Sequence, residues 1–318
     1  MASVNFDQVK AFRNYIETER DDLVVQAFTD FEAADYAVGI EGVKGKQILP
    51  TMMVGKLSKR WTRAFTPSQD AIKFGFETIE THKAKIDLEI YPQDFESNHI
   101  TGRLRKKGQG MDIPHEARIF AKVQEKLTSE ISHAFWNGQA ATTPAATDDL
   151  DQLFDGHRAL FAAFAGAGKI EGVAIPGGTY TQSNIIKHFK DMRLSQGAAY
   201  RKDVNNVFIT SPQVSNIYFD AVRDVKKGGE PTVRYVNGVR QIRTEDNTAW
   251  IAEIADLDGT EFTALLNPSR MFYAFDAFSD TNSFKMLEII RGYAFYMDYM
   301  FGVQLVLPEP SAVVYNLK

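Results

Sequence analysis

The stretch IKFGFETIETHKAKIDLEI, residues 72–90, contains two runs in which apolar residues alternate with polar or small ones. The first run places Ile72, Phe74 and Phe76 on one side of an extended chain. This period of two residues is typical of β-strands, so the stretch predicts two strands joined at a polar break, Thr81–Lys83. The apolar positions of the second run are Ala84, Ile86, Leu88 and Ile90.

A hairpin of two such strands would reach roughly 30 Å, and it could not be stable in water by itself, because two strands bury too little apolar surface. Its apolar face must be covered either by the same chain, as in an ordinary sheet, or by another subunit. We interpret the two runs as an extended loop that contacts another subunit. The predicted contact residues are Ile72, Phe74, Phe76, Lys83, Lys85, Ile86, Leu88 and Ile90.

A long amphipathic helix is predicted over residues 114–137. Asp112 and Pro114 are typical of a helix start, and Gly138 is typical of a helix end. The spacing of the apolar residues predicts that one side of this helix is buried. That side carries Phe120, Val123, Leu127, Ile131 and Ala134.

The rest of the chain mixes helical and strand patterns. Residues 1–60 are predicted to be largely helical, the middle third alternates helices with short strands, and strands dominate from Trp250 onward. Asn237–Gly238 lies between two apolar runs and predicts a hairpin turn. The fold class is therefore α+β.

Composition narrows the function classes. The 36 Lys and Arg residues stand against 41 Asp and Glu, a formal net charge of −5, which argues against a dedicated nucleic-acid binding protein. The absence of cysteine excludes disulfides and thiolate metal sites. The first thirty residues are rich in charge and contain no signal-peptide pattern.

Two basic clusters interrupt this acidic chain. A solvated surface is the ordinary interpretation of such clusters. The alternative is a patch, interior or at an interface, that contacts nucleic acid or an acidic neighbouring subunit. The residues concerned are Lys56, Lys59, Arg60, Arg63, Arg103, Arg105, Lys106 and Lys107.

Motifs for catalysis are incomplete. The phosphate-loop-like run Gly166–Lys169 is followed by Ile170 instead of the hydroxyl residue that a metal would need. The six histidines include no helical pair with metal-ligand spacing. We therefore predict no catalytic, cofactor-binding or metal-binding residues, and no enzyme.

The order of these elements resembles the tailed-phage major capsid protein family, which has the Hong Kong 97-like fold. The resemblance includes Val207–Pro212, similar to a strand-to-helix connection of that family, and Arg291–Gln304, similar to its final strands. It implies four structural units: an N-terminal arm, 1–60; an extended-loop β-hairpin, 61–93; a peripheral domain, 94–145 and 265–305, with a spine helix, 114–137; and an axial domain, 146–264 and 306–318.

The resemblance implies a structural protein, a major capsid subunit that self-assembles into hexamers and pentamers of an icosahedral head enclosing double-stranded DNA. The implied partners are other copies of the chain, a separate scaffolding protein, a portal and decoration proteins. Packaged DNA would be contacted weakly and without sequence specificity, and no membrane is involved. The implied location is the virion capsid, assembled in the bacterial host cytoplasm. An encapsulin-like nanocompartment shell and a soluble α+β enzyme with a dispersed active site are the alternatives.

Overall fold

The structure, a computed structural model, describes residues 28–29, 31–55, 57–63, 65, 67, 71–90, 115–143, 145, 149–226, 230–276, 284–289 and 292–317. The α-helices of this part are α1 (His115–Asn137), α2 (His157–Gly166), α3 (Ile185–Ser195) and α4 (Pro212–Val225). The strands are β1 (Val38–Glu41), β2 (Lys46–Val54), β3 (Ile72–Glu80), β4 (His82–Ile90), β5 (Glu171–Ala174), β6 (Val207–Thr210), β7 (Val233–Val236), β8 (Val239–Arg243), β9 (Trp250–Glu253), β10 (Thr263–Leu266), β11 (Met271–Asp276), β12 (Phe284–Ile289), β13 (Gly292–Leu305) and β14 (Val314–Leu317).

The described strands form two larger sheets and one two-stranded hairpin. The first sheet has five strands. Strand β1 pairs with β11, and β11 and β12 pair one after the other along one edge of β13, while β4 pairs along the opposite edge. The second sheet, seven-stranded, has the order β5-β14-β10-β6-β9-β8-β7. Strands β2 and β3 pair only with each other and form the hairpin. The α+β class is therefore confirmed.

One apolar core connects the two larger sheets through α1. The predicted stripe of this helix is buried at Leu127, Ile131 and Ala134, and the adjacent Trp136 is fully buried. The same core cluster contains side chains of the first sheet and of the second sheet, which pack against one another around the helix. The helix prediction is confirmed for its described residues, His115–Asn137.

Two local predictions are also confirmed, one at a hairpin turn and one where a strand leads into a helix. Asn237 and Gly238 both have positive φ angles, 49° and 87°, as the hairpin turn between β7 and β8 requires. At the start of α4, the Ser211 hydroxyl accepts a hydrogen bond from the Val214 backbone N–H, and Pro212 occupies the first turn.

The predicted hairpin between the two halves of residues 72–90 is wrong. Strand β3 pairs with β2, and β4 pairs with β13, so the two runs belong to different sheets. Only Thr81 separates them, and its hydroxyl donates to the Val43 carbonyl at 3.1 Å and accepts from the Gly45 N–H at 2.9 Å. These bonds fix the chain where it passes from one sheet to the next, with no turn that would fold β4 back onto β3.

The predicted helical arm, residues 1–60, needs a second correction. Residues 1–27 lie outside the described part, but β1 and β2 occupy most of 38–54 as strands. Gly42 and Gly45 have positive φ angles of 78° and 82° in the turn that joins these strands. Pro50 lies inside β2. This is possible because β2 is paired along one edge only, and such an edge strand tolerates a residue without a backbone N–H.

The predicted peripheral and axial domains stay a prediction. The second sheet takes its strands from residues 171–266 and 314–317, and the first sheet takes its strands from residues 38–41, 82–90 and 271–305.

A methyl group at Gly302 should destabilise the fold. A Cβ atom there would lie 2.0 Å from the Glu80 carbonyl oxygen, a backbone atom that cannot move without disturbing β13 or the β3–β4 junction. We expect Gly302→Ala to lower the free energy of unfolding by about 1–3 kcal/mol, as overpacked cores do. Denaturant unfolding measures this loss. Gly166→Ala is the matched control, since a Cβ at Gly166 meets nothing within 4 Å; equal stability loss in both variants would contradict the packing argument.

His157 should make the fold sensitive to acid. Burial lowers the pKa of this fully buried side chain from 6.5 to about 3, and the Phe272 backbone opposes the shift only in part. Below pH 6.5 the unfolded chain binds a proton at this histidine and the folded chain does not. Stability therefore falls as the pH drops from 6.5 towards 3, by up to about 1.4 kcal/mol per pH unit.

The measurement is denaturant unfolding of the wild type and of His157→Phe at pH 7 and at pH 5. We expect the variant to lose about 2 kcal/mol less than the wild type between these values. His133→Phe, at an exposed position of α1, is the control and should follow the wild type. If His157→Phe also followed the wild type, the acid sensitivity would arise elsewhere.

Candidate subunit-contact surface

The β2–β3 hairpin carries an apolar residue at successive paired positions of one face. Its antiparallel register places Val54 opposite Ile72, Met52 opposite Phe74 and Pro50 opposite Phe76. Paired residues of two strands point to the same side of a sheet, and every second residue does so along each strand. We call this side the apolar face; it consists of Ile48, Pro50, Met52, Val54, Ile72, Phe74 and Phe76.

The apolar face is exposed. Phe74 and Phe76 are 79% and 72% exposed to solvent, and Ile48 and Met52 are 63% and 57% exposed. Single exposed apolar residues are ordinary, but a contiguous patch of this kind on a folded chain marks a site of interaction. The face is therefore the candidate contact surface of the described residues.

The opposite face of the hairpin anchors it to the first sheet. Leu49 and Ile79 are buried there, Ile79 completely, in a cluster with Ala274 of β11 and with Val306. Polar contacts add to this anchor: the Gln304 side chain donates to the Thr78 carbonyl at 2.8 Å. The hairpin thus has a fixed root, and the orientation of its apolar face is set by the body of the chain.

A salt bridge makes a second connection between the hairpin and the rest of the chain. Lys169, after α2, lies 3.2 Å from Glu77 and 4.8 Å from the ring centroid of Phe164. Both partners of the salt bridge are partly exposed, so the pair contributes less than about 1 kcal/mol to stability. Its role is positional, since it ties β3 to the helical part that precedes the second sheet.

The connection between β2 and β3 combines exposed aromatic and basic side chains. Trp61 and Phe65 keep 85% and 93% of their surface accessible. Of the predicted basic cluster, Arg60 and Arg63 are exposed beside them, and the Lys59 ammonium donates to the Pro67 carbonyl at 3.0 Å. Lys56 lies outside the described residues, as do Arg103, Arg105, Lys106 and Lys107. A role of these residues in binding nucleic acid or a neighbouring subunit stays a prediction.

The structure separates the predicted contact residues into two groups. Ile72, Phe74 and Phe76 lie on the apolar face, whereas the β4 residues belong to the first sheet, where Ile86 packs against the main core. Two lysines of β4 have local partners, with Lys83 at 2.8 Å from Asp298 and Lys85 at 2.5 Å from Asp87. The remaining members of the β4 group are Leu88, which is half-buried, and Ile90, whose side chain lies outside the described part.

Sequence reasoning missed the β2 half of the apolar face. Ile48, Met52 and Val54 alternate with the same period as the recognised strands, so the signal was present. It was overlooked because residues 1–60 were predicted to be largely helical. Pro50 lies in register with Ile48, Met52 and Val54, and one proline within an alternating run is compatible with an edge strand. This was the signal that could have identified β2.

In the described ranges, no group of three or more His, Asp or Glu side chains is placed to hold a metal ion. Of the helices in that same part of the chain, none is long and apolar enough to cross a bilayer.

The fold is shared with solved capsid structures. The structure of the satellite phage P4 procapsid including size determination (Sid) protein matches with a TM-score of 0.55 and 13% identity, covering 93% of this chain and 98% of that chain. The chain has a phage capsid fold. The capsid of Myoviridae phage XM1 matches with a TM-score of 0.52 and 10% identity over 88% of this chain and 89% of that one.

A third capsid agrees with these two. The capsid of the native GTA particle has a TM-score of 0.53 and 15% identity over 90% of this chain and 96% of the other. No protein-family model matches the sequence, and no curated protein matches it either. The capsid fold of this chain is therefore recognised from the structure, at identities too low to carry over the roles of individual residues.

The two faces of β3 should respond differently to truncation. Ile79 is fully buried at the root, whereas Ile72 on the apolar face is 51% exposed. We expect Ile79→Ala to cost about 2–5 kcal/mol of unfolding free energy, because it leaves a cavity. Ile72→Ala, the matched control, should change stability by no more than about 0.5 kcal/mol. Denaturant unfolding of the unassembled chain decides; a cost at Ile72 as large as that at Ile79 would show that the apolar face is covered within the chain.

Proposed function

We propose that the chain is a major capsid subunit, which self-assembles into hexamers and pentamers of an icosahedral phage head that encloses double-stranded DNA. The observation that carries the proposal is the exposed apolar face of a hairpin in a chain with a phage capsid fold. The role is structural and not catalytic. The virion capsid is the location, after assembly in the bacterial host cytoplasm.

A shell subunit needs a surface that becomes stable only on assembly. The apolar face meets this need because its root is fixed and its residues are exposed in the single chain. Burying Phe74 and Phe76 under a neighbouring subunit would contribute about 1.5–3 kcal/mol for each side chain. Repeated around a ring of copies, contacts of this size support a closed assembly.

The charge of the chain agrees with an enclosing role. A protein with a net charge of −5 does not neutralise many phosphates, so packaged DNA would be held by the closed wall and contacted weakly. Other copies of the chain are the main partners in this proposal. A separate scaffolding protein, a portal and decoration proteins complete the set of proposed partners, and no membrane is involved.

The experiment removes the apolar face without disturbing the fold. In Phe74→Ser with Phe76→Ser, both positions are exposed, so the isolated chain should keep its thermal stability. Assembly should fail, because losing about 3 kcal/mol of burial per subunit raises the concentration needed for assembly more than ~100-fold. Sedimentation and negative-stain images compare the variants, each co-expressed with the genes that neighbour this one.

Leu194→Ser with Val204→Ser is the matched control, since these residues are also apolar and exposed, at 63% and 85%, but lie outside the hairpin. We expect the control and the wild type to form shells, tubes, or discrete hexamers and pentamers. A wild-type chain that stays monomeric or dimeric under these conditions would refute the capsid proposal. Normal assembly of the Phe74 and Phe76 variant would refute the role of the apolar face.

A further inference from the structure

Two arginines share one tryptophan at the end of the second sheet. The Arg234 guanidinium carbon lies 3.7 Å from the centre of the Trp250 ring, and that of Arg243 lies 4.7 Å from it. The three residues come from β7, β8 and β9, which are neighbours in the sheet. Arg234 is exposed, and Arg243 and Trp250 are half-buried, so the group is accessible from solvent.

The strand register brings these side chains together. Arg243 pairs with Trp250, and Arg234 pairs with Gln241, two residues from Arg243 on the same face of β8. The Arg234 Nε donates to the Gln241 side-chain oxygen at 2.8 Å, and the Gln241 amide donates to the buried Tyr36 hydroxyl at 2.6 Å. The hydrogen bonds therefore fix the position of Arg234 relative to the core.

The second arginine is braced in the same way. Its Nη2 donates to the Asn247 carbonyl at 2.6 Å, in the loop that leads to β9. Both guanidinium groups consequently keep further N–H donors that have no partner within the described residues. Bracing of this kind lowers the conformational entropy that a ligand would otherwise have to remove.

The charges of these two arginines are not neutralised within the described residues. Three other described arginines do have carboxylate partners: Arg193 with Asp246 at 3.0 Å, Arg223 with Asp220 at 3.2 Å, and Arg240 with Glu253 at 3.1 Å. Near the turn between β7 and β8, Asp35 accepts a hydrogen bond from Asn237 at 2.8 Å, and it forms no ion pair with Arg234. Two unneutralised cations close to one ring repel each other, and a bound anion would reduce this repulsion.

We propose that Arg234 and Arg243 form a binding site for phosphate groups and that, in the assembled shell, the site contacts the phosphodiester backbone of the enclosed DNA. This inference rests on the proposed function. Guanidinium groups match phosphate oxygens through paired N–H donors, and such contacts are independent of base sequence. A single carboxylate carries one negative charge and can neutralise one guanidinium, whereas a nucleic-acid strand carries a negative charge at every phosphate.

The experiment measures binding of the full chain to a fluorescent duplex of about 30 base pairs, by anisotropy between about 50 and 200 mM salt. Arg234→Gln with Arg243→Gln should weaken binding about eightfold for each lost contact at 0.1 M salt. It should also reduce the slope of log K against log salt by about 0.9 per contact. Arg223→Gln with Lys126→Gln is the charge-matched control, since both of these side chains already have carboxylate partners.

The control is expected to bind like the wild type; an equal loss in the control would overturn the proposal, because net charge alone would then explain it. Inorganic phosphate at constant ionic strength distinguishes the sources of the anion. If the duplex stays bound to the wild type when inorganic phosphate is added, the result supports a phosphodiester site. If inorganic phosphate displaces the duplex, the result supports a site for free phosphate and overturns the DNA contact.

Assembly of the same variants separates this proposal from the proposed function. Shells from all variants, with weaker DNA binding only for Arg234 and Arg243, are the expected result. Loss of assembly in that variant alone would show that the arginines contact another subunit, which overturns the phosphate site. A wild-type chain that never assembles refutes the capsid proposal itself, whatever the DNA binding shows.

Discussion

Backbone hydrogen bonding along both edges of β13 holds together the parts of the chain that matter for the contact surface. One edge carries β11 and β12, and the other carries β4. Because β4 follows β3 after Thr81 alone, fixing β4 on β13 also fixes the root of the β2–β3 hairpin. Gly302 makes this possible, since the Glu80 carbonyl occupies the space that a side chain would need. The direction of the hairpin is thus a consequence of a sheet to which its strands do not belong.

A hairpin fixed in this way cannot bury both of its faces against the described residues of its own chain. Leu49 and Ile79 occupy the face that meets the first sheet, so Phe74 and Phe76 are left on the opposite side. Turning the hairpin over would expose the anchor residues and break the bond from Gln304 to Thr78. The apolar face can therefore be covered only by material outside the described part of the chain.

The sequence predicted single elements well and their pairing poorly. Period-two alternation identifies a strand and its faces, but β2, β3 and β4 all have this alternation, and nothing local says which two should pair. The pairing of these strands depends on contacts between residues far apart in the sequence, such as Thr81 with Val43 and Gln304 with Thr78. The candidate surface was consequently half predicted, with its β3 residues identified, its β2 residues missed and β4 residues added. The Asn237–Gly238 turn was predicted because its signal is contained in two adjacent residues.

The low identity between this chain and the solved capsid structures of the same fold has a physical explanation in the same features. Backbone hydrogen bonds of β13 do not depend on which side chains the strands carry, and a buried stripe such as that of α1 requires apolar volume rather than particular residues. Exposed positions of a contact face are also free of the constraints of the core, provided that the neighbouring surface changes with them. An enzyme must keep a reacting group within a few tenths of an ångström, and that requirement leaves a motif in the sequence. A contact surface requires shape and polarity over a wide area, so the structure reveals it where the sequence shows only alternation.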